Sequence, residues 1–558
     1  MASPFSSDVG TPGSEGHAQL SRRSLVAGAS AVGALIGVAP AAGAAPSAPS
    51  VVWPSVKRPA DLSRIVAWSA AELSVAIRRR TVTCVEVMSA YLDRIEAVNP
   101  KVNAIVALRP RAELLEEAAG KDRLLAAGTY QGWMHGFPQA AKDLANVKGM
   151  PTSLGFFGQP GVPAASPATA DALVVERMRS AGAIFIGKTN TPEFGLGSHT
   201  YNNVFGTTFN AYDQSRSAGG SSGGAAVAVA LRMLPVADGS DFFGSLRNPP
   251  GWNNVLGLRP SYGRVPGVGN EQFVQQGGTE GPIARTATDL ALFLDTLAGY
   301  DVRAPLSIER DVELRQPGKP GKVSMRGHRV AWMADLGGYL PMDPEVLEVT
   351  GAAVHRMRGM GIEVDKVDAL PTAPGFAGNA DLWPTWLVFR HWLIGGILKP
   401  LHDNPQLREK MKPEAIYEVE GLLTGADGNP AISGIDAWNG SVKRTAMYQA
   451  FRQLFETYDY VVLPTAQIFP FDAEETWPKQ IHGTAMSSYH RWMEVTAIGT
   501  LLGAPTLAVP GGFSGDGLPI GLQVIGRNHD DAGVLDFAAA WERETRFVED
   551  HLPPLIAR

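Results

Sequence analysis

Cysteine, excess basic charge and long apolar runs are all scarce in this chain of 558 residues. The single cysteine, Cys84, excludes an internal disulfide and any cysteine-based zinc or iron–sulfur cluster. The 49 basic residues are outnumbered by 55 acidic ones, for a net charge of -6. Without a basic excess to hold phosphates, the sequence predicts no nucleic-acid partner. No apolar run reaches the roughly 18 residues of a membrane-spanning helix, so no span is predicted.

The chain does contain enough apolar residues to fold as a globular protein, with a hydrophobic fraction of 45%. Two capping patterns predict helix starts, Ser69 with Glu72 and Thr83 with Glu86. The second start places Cys84 in a helix as a buried structural thiol, and that helix is predicted to stop at Asn99-Pro100. Short apolar strands alternate with helical segments, which indicates an α/β layer fold. The predicted strands include 104–107, 183–186, 460–463, 506–509 and 520–525.

The first 44 residues are typical of an export signal rather than of a folded domain. Arg22-Arg23 precedes a short apolar run from Ala27 to Val38, and small residues follow at 42–44. This order of charged pair, apolar segment and cleavage-like site predicts a twin-arginine leader and an exported protein. The alternative is a disordered Ala/Gly tail that contains an arginine pair by chance. Residues 45–64 are predicted to be a linker or arm, and 65–558 the folded domain.

Two short motifs match known patterns, but their surroundings do not suit the chemistry. Residues 182–189 fit the P-loop pattern, yet the four middle residues are Ala-Ile-Phe-Ile, which favour a strand over a phosphate-binding loop. Residues 219–223 fit the G-x-S-x-G elbow of α/β-hydrolases, which needs a strand just before it. The preceding segment 213–218 is polar and a poor strand. Neither the P-loop nor the nucleophile-elbow interpretation is therefore adopted, and no HExxH pair is present to hold zinc.

Three other segments carry residues suited to acyl transfer. Lys142 follows an apolar stretch in 136–143, and glycines surround serines in 219–224 and in 239–247. Burial can neutralise a lysine, which then serves as a base for a serine hydroxyl. Glycine-rich backbone can direct amide N–H groups at an oxyanion. Considered singly, such a lysine more often pairs with a carboxylate, and such loops are more often simple turns.

Taken together, these segments resemble the amidase signature family of serine hydrolases. That family's pattern is close to G-K-T-N, G-G-S-S-G-G, G-T-D-x-G-G-S-I-R and G-x-K-P. The corresponding blocks here, with the lysine segment and two C-terminal blocks, are 187–190, 219–224, 239–247, 257–260, 136–143, 458–465 and 503–526. The resemblance spans about residues 65–545, although 310–450 is poorly matched. It implies an α/β fold with a large mixed β-sheet covered by helices on both faces.

The resemblance also implies a Ser–cis-Ser–Lys triad and no metal or organic cofactor. Ser245 would be the nucleophile, Ser221 would relay its proton through a residue with a cis peptide bond, and Lys142 would be the neutral base. The oxyanion hole would consist of backbone N–H groups of residues near the nucleophile. Those residues are Phe242, Phe243, Gly244 and Ser245 itself. Loop support would come from Asp241, Arg247 and Ser222.

The chain departs from the family pattern at several places. Phe243 stands where the family has glycine, so the loop would be strained or re-routed if that position needed a glycine conformation. Its ring would also narrow the pocket. Ser240 replaces the usual threonine, which is a mild change. The stretch 305–450 is predicted to be a variable helical insertion rich in tryptophan, whose aromatic residues 383–392 would either wall the pocket or form helix core.

The resulting functional prediction is a secreted amidase that releases an acid and ammonia or an amine from a small-molecule or peptide amide. Esters and carbamates remain alternative substrates, since the same acyl chemistry applies to them. A second alternative is the glutaminase-type subunit of a tRNA-dependent amidotransferase, which shares the signature but would need cytoplasmic partner subunits. A non-catalytic binding protein on the same scaffold is disfavoured because all three triad residues are present.

Overall fold

A computed structural model describes residues 53–163, 166–269, 271–274, 276–309 and 323–557. The predicted leader 1–44, and residues 45–52 of the predicted arm, lie outside these ranges. The strands of the two larger sheets are β1 (Ile105–Val106), β2 (Pro138–Lys142), β3 (Ile184–Thr189), β4 (Ala237–Asp241), β5 (Leu256–Arg259), β6 (Thr279–Ala284), β7 (Arg329–Trp332), β8 (Glu363–Lys366), β9 (Tyr460–Pro464), β10 (Thr506–Phe513) and β11 (Pro519–Ile525). The helices are α1 (Ala70–Arg78), α2 (Cys84–Val102), α3 (Arg111–Ala126), α4 (Leu173–Ser180), α5 (Gly223–Ala230), α6 (Asn248–Trp252), α7 (Ala287–Leu297), α8 (Pro344–Gly359), α9 (Asn379–Arg390), α10 (Gly396–His402), α11 (Pro405–Arg408), α12 (Pro413–Leu423), α13 (Gly434–Leu454), α14 (Ala497–Leu502), α15 (Asp531–Thr545) and α16 (Phe547–Asp550).

Eight of the strands form one mixed sheet in the order β8-β7-β9-β11-β10-β5-β6-β4. The first three strands run parallel to one another, and each later neighbour pairs in an antiparallel manner. A separate sheet of three strands has the order β1-β3-β2. The predicted α/β class and the large mixed sheet are confirmed.

Alternate residues of the central strands face two different hydrophobic clusters. In β9, Tyr460 and Val462 belong to the cluster that includes α2 and α15. Val461 and Leu463 belong to the cluster that includes α9 and α13. Because successive strand side chains point to opposite faces, helices cover both faces of the sheet. Near-continuous apolar strands such as β9 are typical of sheets buried on both sides.

Both predicted capping boxes are present. Ser69 Oγ accepts from the Glu72 N–H, and Glu72 Oε2 accepts from the Ser69 N–H at 2.8 Å. Thr83 and Glu86 make the same reciprocal pair, and Cys84 is fully buried at the start of α2. The predicted stop at Asn99-Pro100 is wrong, because α2 continues to Val102. Pro100 lies in the last turn of the helix. Asn103, the residue after Val102, caps the helix in the left-handed conformation.

The segment 305–450 contributes to the sheet as well as to the helical layer. Its described residues contain β7 and β8, which form one edge of the eight-stranded sheet. Helices α9 to α13 follow, with a π-helical turn at His391–Gly395. The described first half of this stretch thus adds two strands to the sheet around helix α8, and its second half is mainly helical.

Candidate active site

Lys142 is the last residue of β2, where its side chain is enclosed by hydroxyl groups. Strand β2 pairs in parallel with β3, and the Lys142 side chain is 2% exposed. Its Nζ lies 2.7 Å from Ser221 Oγ and 2.9 Å from Ser222 Oγ. Its Nζ is also 3.0 Å from Ser240 Oγ. The contacts of this amine are thus hydroxyls and one carbonyl rather than a carboxylate.

A second hydroxyl contact extends this arrangement to the predicted nucleophile. Ser221 Oγ lies within hydrogen-bond distance of Ser245 Oγ, at 3.1 Å, which completes a chain of three side chains from Lys142 to Ser245. The Gly220–Ser221 peptide bond is cis, as the family resemblance implied. The structure therefore brings together the three residues of the predicted triad, which are 79 and 24 positions apart in sequence.

Glycines allow the backbone of the loop that carries Ser221 to approach neighbouring residues closely. A Cβ on Gly223 would lie 2.4 Å from Thr200 Oγ1, and one on Gly224 would lie 2.4 Å from the Asn190 nitrogen. These separations are below van der Waals contact, so only glycine fits at the start of α5. The backbone just before Ser221 is also held. The carbonyl of Gly220 accepts a hydrogen bond from the Ser198 hydroxyl, and that of Gly219 accepts one from the Thr200 hydroxyl. Ser221 is thereby held in place by backbone on both sides.

Burial changes the protonation of Lys142. Removal from water lowers the pKa of Lys142 to about 7, although the carboxyl groups of Asp238, Asp241 and Glu280 act in the opposite direction. A large fraction of the amine is therefore neutral at physiological pH. A neutral amine has a lone pair that can accept a proton from Ser221, which a protonated lysine cannot do.

Two further serines take part in this hydroxyl cluster. Ser222, predicted to support the loop, contacts Lys142 and donates its hydroxyl to the Ser240 carbonyl at 3.2 Å. Ser240 was not among the predicted site residues. Its hydroxyl contacts the amine because β4 lies beside β2, which is a tertiary relation. The one signal in the sequence for this role of Ser240 was its position next to Asp241 in the block 239–247.

Asp241 holds the loop before Ser245 through a fully buried set of charges. Its carboxylate accepts from Arg247 at 3.0 Å and from Arg259 at 3.2 Å, and all three side chains are fully buried. It also accepts from the N–H groups of Gly244 and Leu246, on either side of the predicted nucleophile. Burial alone would raise the pKa of Asp241, but the two guanidinium groups hold it well below its usual range. The contacts agree with a supporting role for Asp241 and Arg247.

Replacing this carboxylate is expected to destabilise the protein strongly. Asp241→Asn would leave Arg247 and Arg259 buried with no matching negative charge, which costs about 3–5 kcal/mol. Urea unfolding monitored by circular dichroism measures the change. Glu116→Gln is a suitable control, since Glu116 pairs with Arg123 at 2.8 Å where both side chains are mostly exposed. That change is expected to cost under about 1 kcal/mol, and a similarly small loss for Asp241→Asn would contradict the supporting role.

The oxyanion-hole prediction needs one correction. Gly244 donates its N–H to Asp241 Oδ1 at 2.9 Å, so this group is already used and we remove it from the predicted donors. The N–H groups of Phe242, Phe243 and Ser245 have no acceptor among the described residues. Phe243 has a negative φ, and it is Gly244 that adopts φ +96°. Phenylalanine at 243 therefore does not force a glycine conformation, because the left-handed position is one residue later.

Phe243 connects the loop to the tryptophan-rich helix. Its ring stacks on Trp386 with centroids 3.8 Å apart and an angle of 9°. Trp383 and Trp386 are both buried in the hydrophobic cluster behind it. Of the two interpretations of these tryptophans, the structure favours helix core. Phe242 and Phe243 line the cavity beside Ser245.

This cavity is small, about 90 Å³, and lies against both serines of the triad. Apolar groups make up much of its wall, together with Arg390, Tyr489 and His490. These last three residues were not singled out from the sequence. Arg390 and the adjacent pair Tyr489-His490 come from two stretches of chain that meet only in the folded protein, so no local pattern marks them.

The structure agrees with the rejection of both the P-loop and the nucleophile-elbow interpretations. Residues Ile184–Thr189 form buried strand β3, which leaves no loop to bind phosphate. The residues directly before Gly219 form turns and isolated bridges rather than a strand, as the polar sequence predicted. Within the described ranges, no three His, Cys, Asp or Glu residues are arranged to hold a metal ion. Among the helices of those same ranges, none combines the length and apolarity that crossing a membrane requires.

Comparison with known proteins gives matches over most of the chain. The model of the family described as Amidase matches residues 86–389 and 421–535. An acylamidase of Rhodococcus erythropolis is 34% identical over 85% of this chain and 94% of its own length. One of the subunits of the glutamyl-tRNA(Gln) amidotransferase of Thermosynechococcus vestitus is 32% identical over 85% of this chain and 97% of its own length. The crystal structure of a bacterial aryl acylamidase of the amidase signature family superposes with a TM-score of 0.78 at 27% identity, covering 88% of this chain and 99% of the other.

Proposed function

This chain belongs to the amidase family and is a hydrolase of amide C–N bonds, and we propose that it acts through an acyl-enzyme on Ser245. The observation that supports this most directly is the hydrogen-bonded chain from Lys142 through Ser221 to Ser245. It connects a nucleophile to a base that is partly neutral near pH 7. This combination meets the two requirements for an activated serine, which are contact with a base and a suitable pKa of that base.

In the first step, Ser245 Oγ attacks the carbonyl carbon of the amide. Its proton moves to Ser221, whose own proton moves to the neutral Lys142. The carbonyl oxygen becomes an oxyanion, which the free N–H groups of Phe242, Phe243 and Ser245 stabilise. These donors are backbone groups, so they need no reorganisation when charge develops.

In the second step, the proton taken by Lys142 returns through Ser221 to the nitrogen of the leaving group. Protonation is required because an amine anion is a very poor leaving group. The C–N bond breaks, the amine departs, and the acyl group remains on Ser245. A water molecule then attacks the ester, giving its proton to the same relay, and the acid is released with Ser245 restored.

For the substrate, we propose an N-acyl amide with an aromatic amine as leaving group. The acylamidase and aryl acylamidase relatives support this choice. Glutaminase action in an amidotransferase is the second candidate, supported by the relatives that are amidotransferase subunits. We also propose export by the twin-arginine route, on the evidence of the N-terminal pattern alone. Cell fractionation tests that route, and retention of the wild-type chain in the cytoplasm would contradict it.

A substrate panel tests the proposed function. It contains 4-nitroacetanilide, an aliphatic amide, a peptide amide, glutamine and 4-nitrophenyl acetate. Each is assayed with the purified wild-type chain and no other subunit. We expect the anilide to have the highest kcat/KM among the amides, at least about tenfold above glutamine, a difference of about 1.4 kcal/mol in transition-state binding. Glutamine turnover that exceeds anilide turnover would favour the second candidate. Turnover of the ester with no amide cleaved would overturn the amidase assignment.

A further inference from the structure

Arg390 is a buried cation in the wall of the cavity beside Ser245. It is 4% exposed, and its guanidinium lies over the rings of Phe242 and Trp386 at 5.4 and 5.8 Å. The mechanism proposed above does not use this residue. A buried arginine next to a reaction site is costly unless it is paired, so its partners indicate what it is there to do.

Two of the three nitrogens of Arg390 are occupied. Nε donates to Glu418 Oε1 at 2.8 Å, and Nη2 donates to the Tyr489 hydroxyl oxygen at 2.6 Å. Tyr489 in turn donates its hydroxyl to Glu418, so the three groups form a closed set. Nη1 makes no hydrogen bond to any described residue. This atom is also not completely buried. Nη1 is therefore the nitrogen of Arg390 that remains available to a group bound in the cavity that Arg390 lines.

The charge of the guanidinium is already matched. Burial alone would raise the pKa of Glu418, but Arg390 and the neighbouring histidines hold it below its usual range, so it is ionised. The donors on Nη1 can then bind an uncharged oxygen without leaving a net charge in the cavity. A carboxylate would add a second negative charge to a buried pair that is already balanced.

The size of the cavity limits the group that can enter. A volume of about 90 Å³ is well below the roughly 300–1,000 Å³ of drug-sized pockets. The amine must leave before water attacks, whereas the acyl group stays bonded to Ser245. A small cavity that lies against Ser245 therefore suits a short acyl group.

We propose that this enzyme prefers amides with a short acyl chain that carries an uncharged hydrogen-bond-accepting oxygen, and that Arg390 Nη1 donates to that oxygen. The inference rests on the proposed acyl-enzyme at Ser245. It adds a specificity residue and a substrate class. The role of Glu418 and Tyr489 is to hold Arg390 in position.

The test compares two 4-nitroanilides that differ by one atom, methoxyacetyl and butyryl. Both acyl groups place three heavy atoms beyond the carbonyl, and only the first has an ether oxygen. The ratio of their kcat/KM values is divided by the ratio of their hydroxide-catalysed rates, which removes the difference in intrinsic reactivity. We expect a corrected preference of about tenfold for methoxyacetyl in the wild type, as for one hydrogen bond to a charged group.

Arg390→Lys is the informative variant, because it keeps a positive charge near Glu418 but loses the planar fork of donors. We expect the corrected preference to fall to about one. A purely structural defect would lower both rates and leave their ratio unchanged. Arg444→Lys is the matched control, since Arg444 is partly buried and its guanidinium lies over the ring of Phe389, outside the lining of this cavity. This control is expected to keep the wild-type ratio.

Several results would overturn the proposal. They are a corrected wild-type ratio near one, a preference that survives in Arg390→Lys, and faster cleavage of the malonyl anilide, which carries a carboxylate. A fourth is a preference for the ether oxygen that appears only when the ether is on the amine part of the anilide and not when it is on the acyl group. Each of these requires turnover of the anilides. Absence of anilide turnover in the wild type would instead contradict the proposed function, so the two failures are distinguishable.

Discussion

Ser245→Ala is expected to reduce the kcat for anilide hydrolysis by about 10⁶-fold, the size seen when a serine hydrolase loses its nucleophile. Ser221 is not placed to take over the attack, since it is held between Lys142 and residue 245. The measurement is release of 4-nitroaniline, together with mass spectrometry of the protein after rapid quenching. Wild type is expected to show the mass of the acyl group on the peptide that contains Ser245, and the variant is expected to show none.

The same substitution is expected to have little effect on folding. It removes one hydroxyl and its 3.1 Å hydrogen bond with Ser221, a change of about 0.5–1.5 kcal/mol. Ser74→Ala is a matched control, because Ser74 is also buried and has one side-chain partner, Tyr130, at 3.1 Å. The two variants should have similar melting temperatures, while only Ser245→Ala loses activity. Anilide turnover at the normal rate by Ser245→Ala would refute the assignment of the nucleophile.

Lys142→Met is expected to lower kcat/KM for the anilide by about 10²–10⁴-fold on the plateau above the pKa of Lys142. Methionine fills much of the space of the lysine stem but cannot accept or return a proton. Both the attack by Ser245 and the departure of the amine would then lack proton transfer. Steady-state kinetics measure the loss, and Lys410→Met is a control at an exposed lysine, expected to keep wild-type activity.

The pH profile distinguishes a general base from a structural lysine. Burial lowers the pKa of Lys142 to about 7, and the neutral form is the active one. Wild-type kcat/KM is therefore expected to rise about tenfold per pH unit below this value and to level off above it. In Lys142→Met, this rise should be absent. A variant that kept the wild-type profile at reduced rate would indicate that another group titrates.

Local signals were sufficient for several elements. The capping boxes at Ser69 and Thr83 were predicted correctly because both partners lie within one helical turn, so the sequence contains the whole interaction. Buried strands such as β9 were predicted correctly because an apolar run bounded by polar residues has few other stable environments. The end of α2 was missed because a proline in the final turn breaks less of the helix than one in its interior.

The candidate site was predictable only to the extent that its residues lie in motifs. Lys142, Ser221 and Ser245 were chosen through the family resemblance, and the structure brings them into hydrogen-bond contact. Ser240 was not chosen for chemistry, since its contact with Lys142 depends on how β4 lies beside β2. For Gly244, the sequence could not show that Asp241 already occupies the N–H.

The amino-acid order alone thus determined the class of fold, the family and the chemical groups of a serine-type amide hydrolase. These follow from short-range patterns of polarity, capping and glycine, which the chain carries before it folds. Only the tertiary structure decided which donors remain free at the oxyanion and that Arg390, held by Glu418, forms part of the wall of the cavity. Such contacts join segments far apart in the chain, and burial then sets their charge and hydrogen bonding. Neither effect is encoded in any single stretch of sequence.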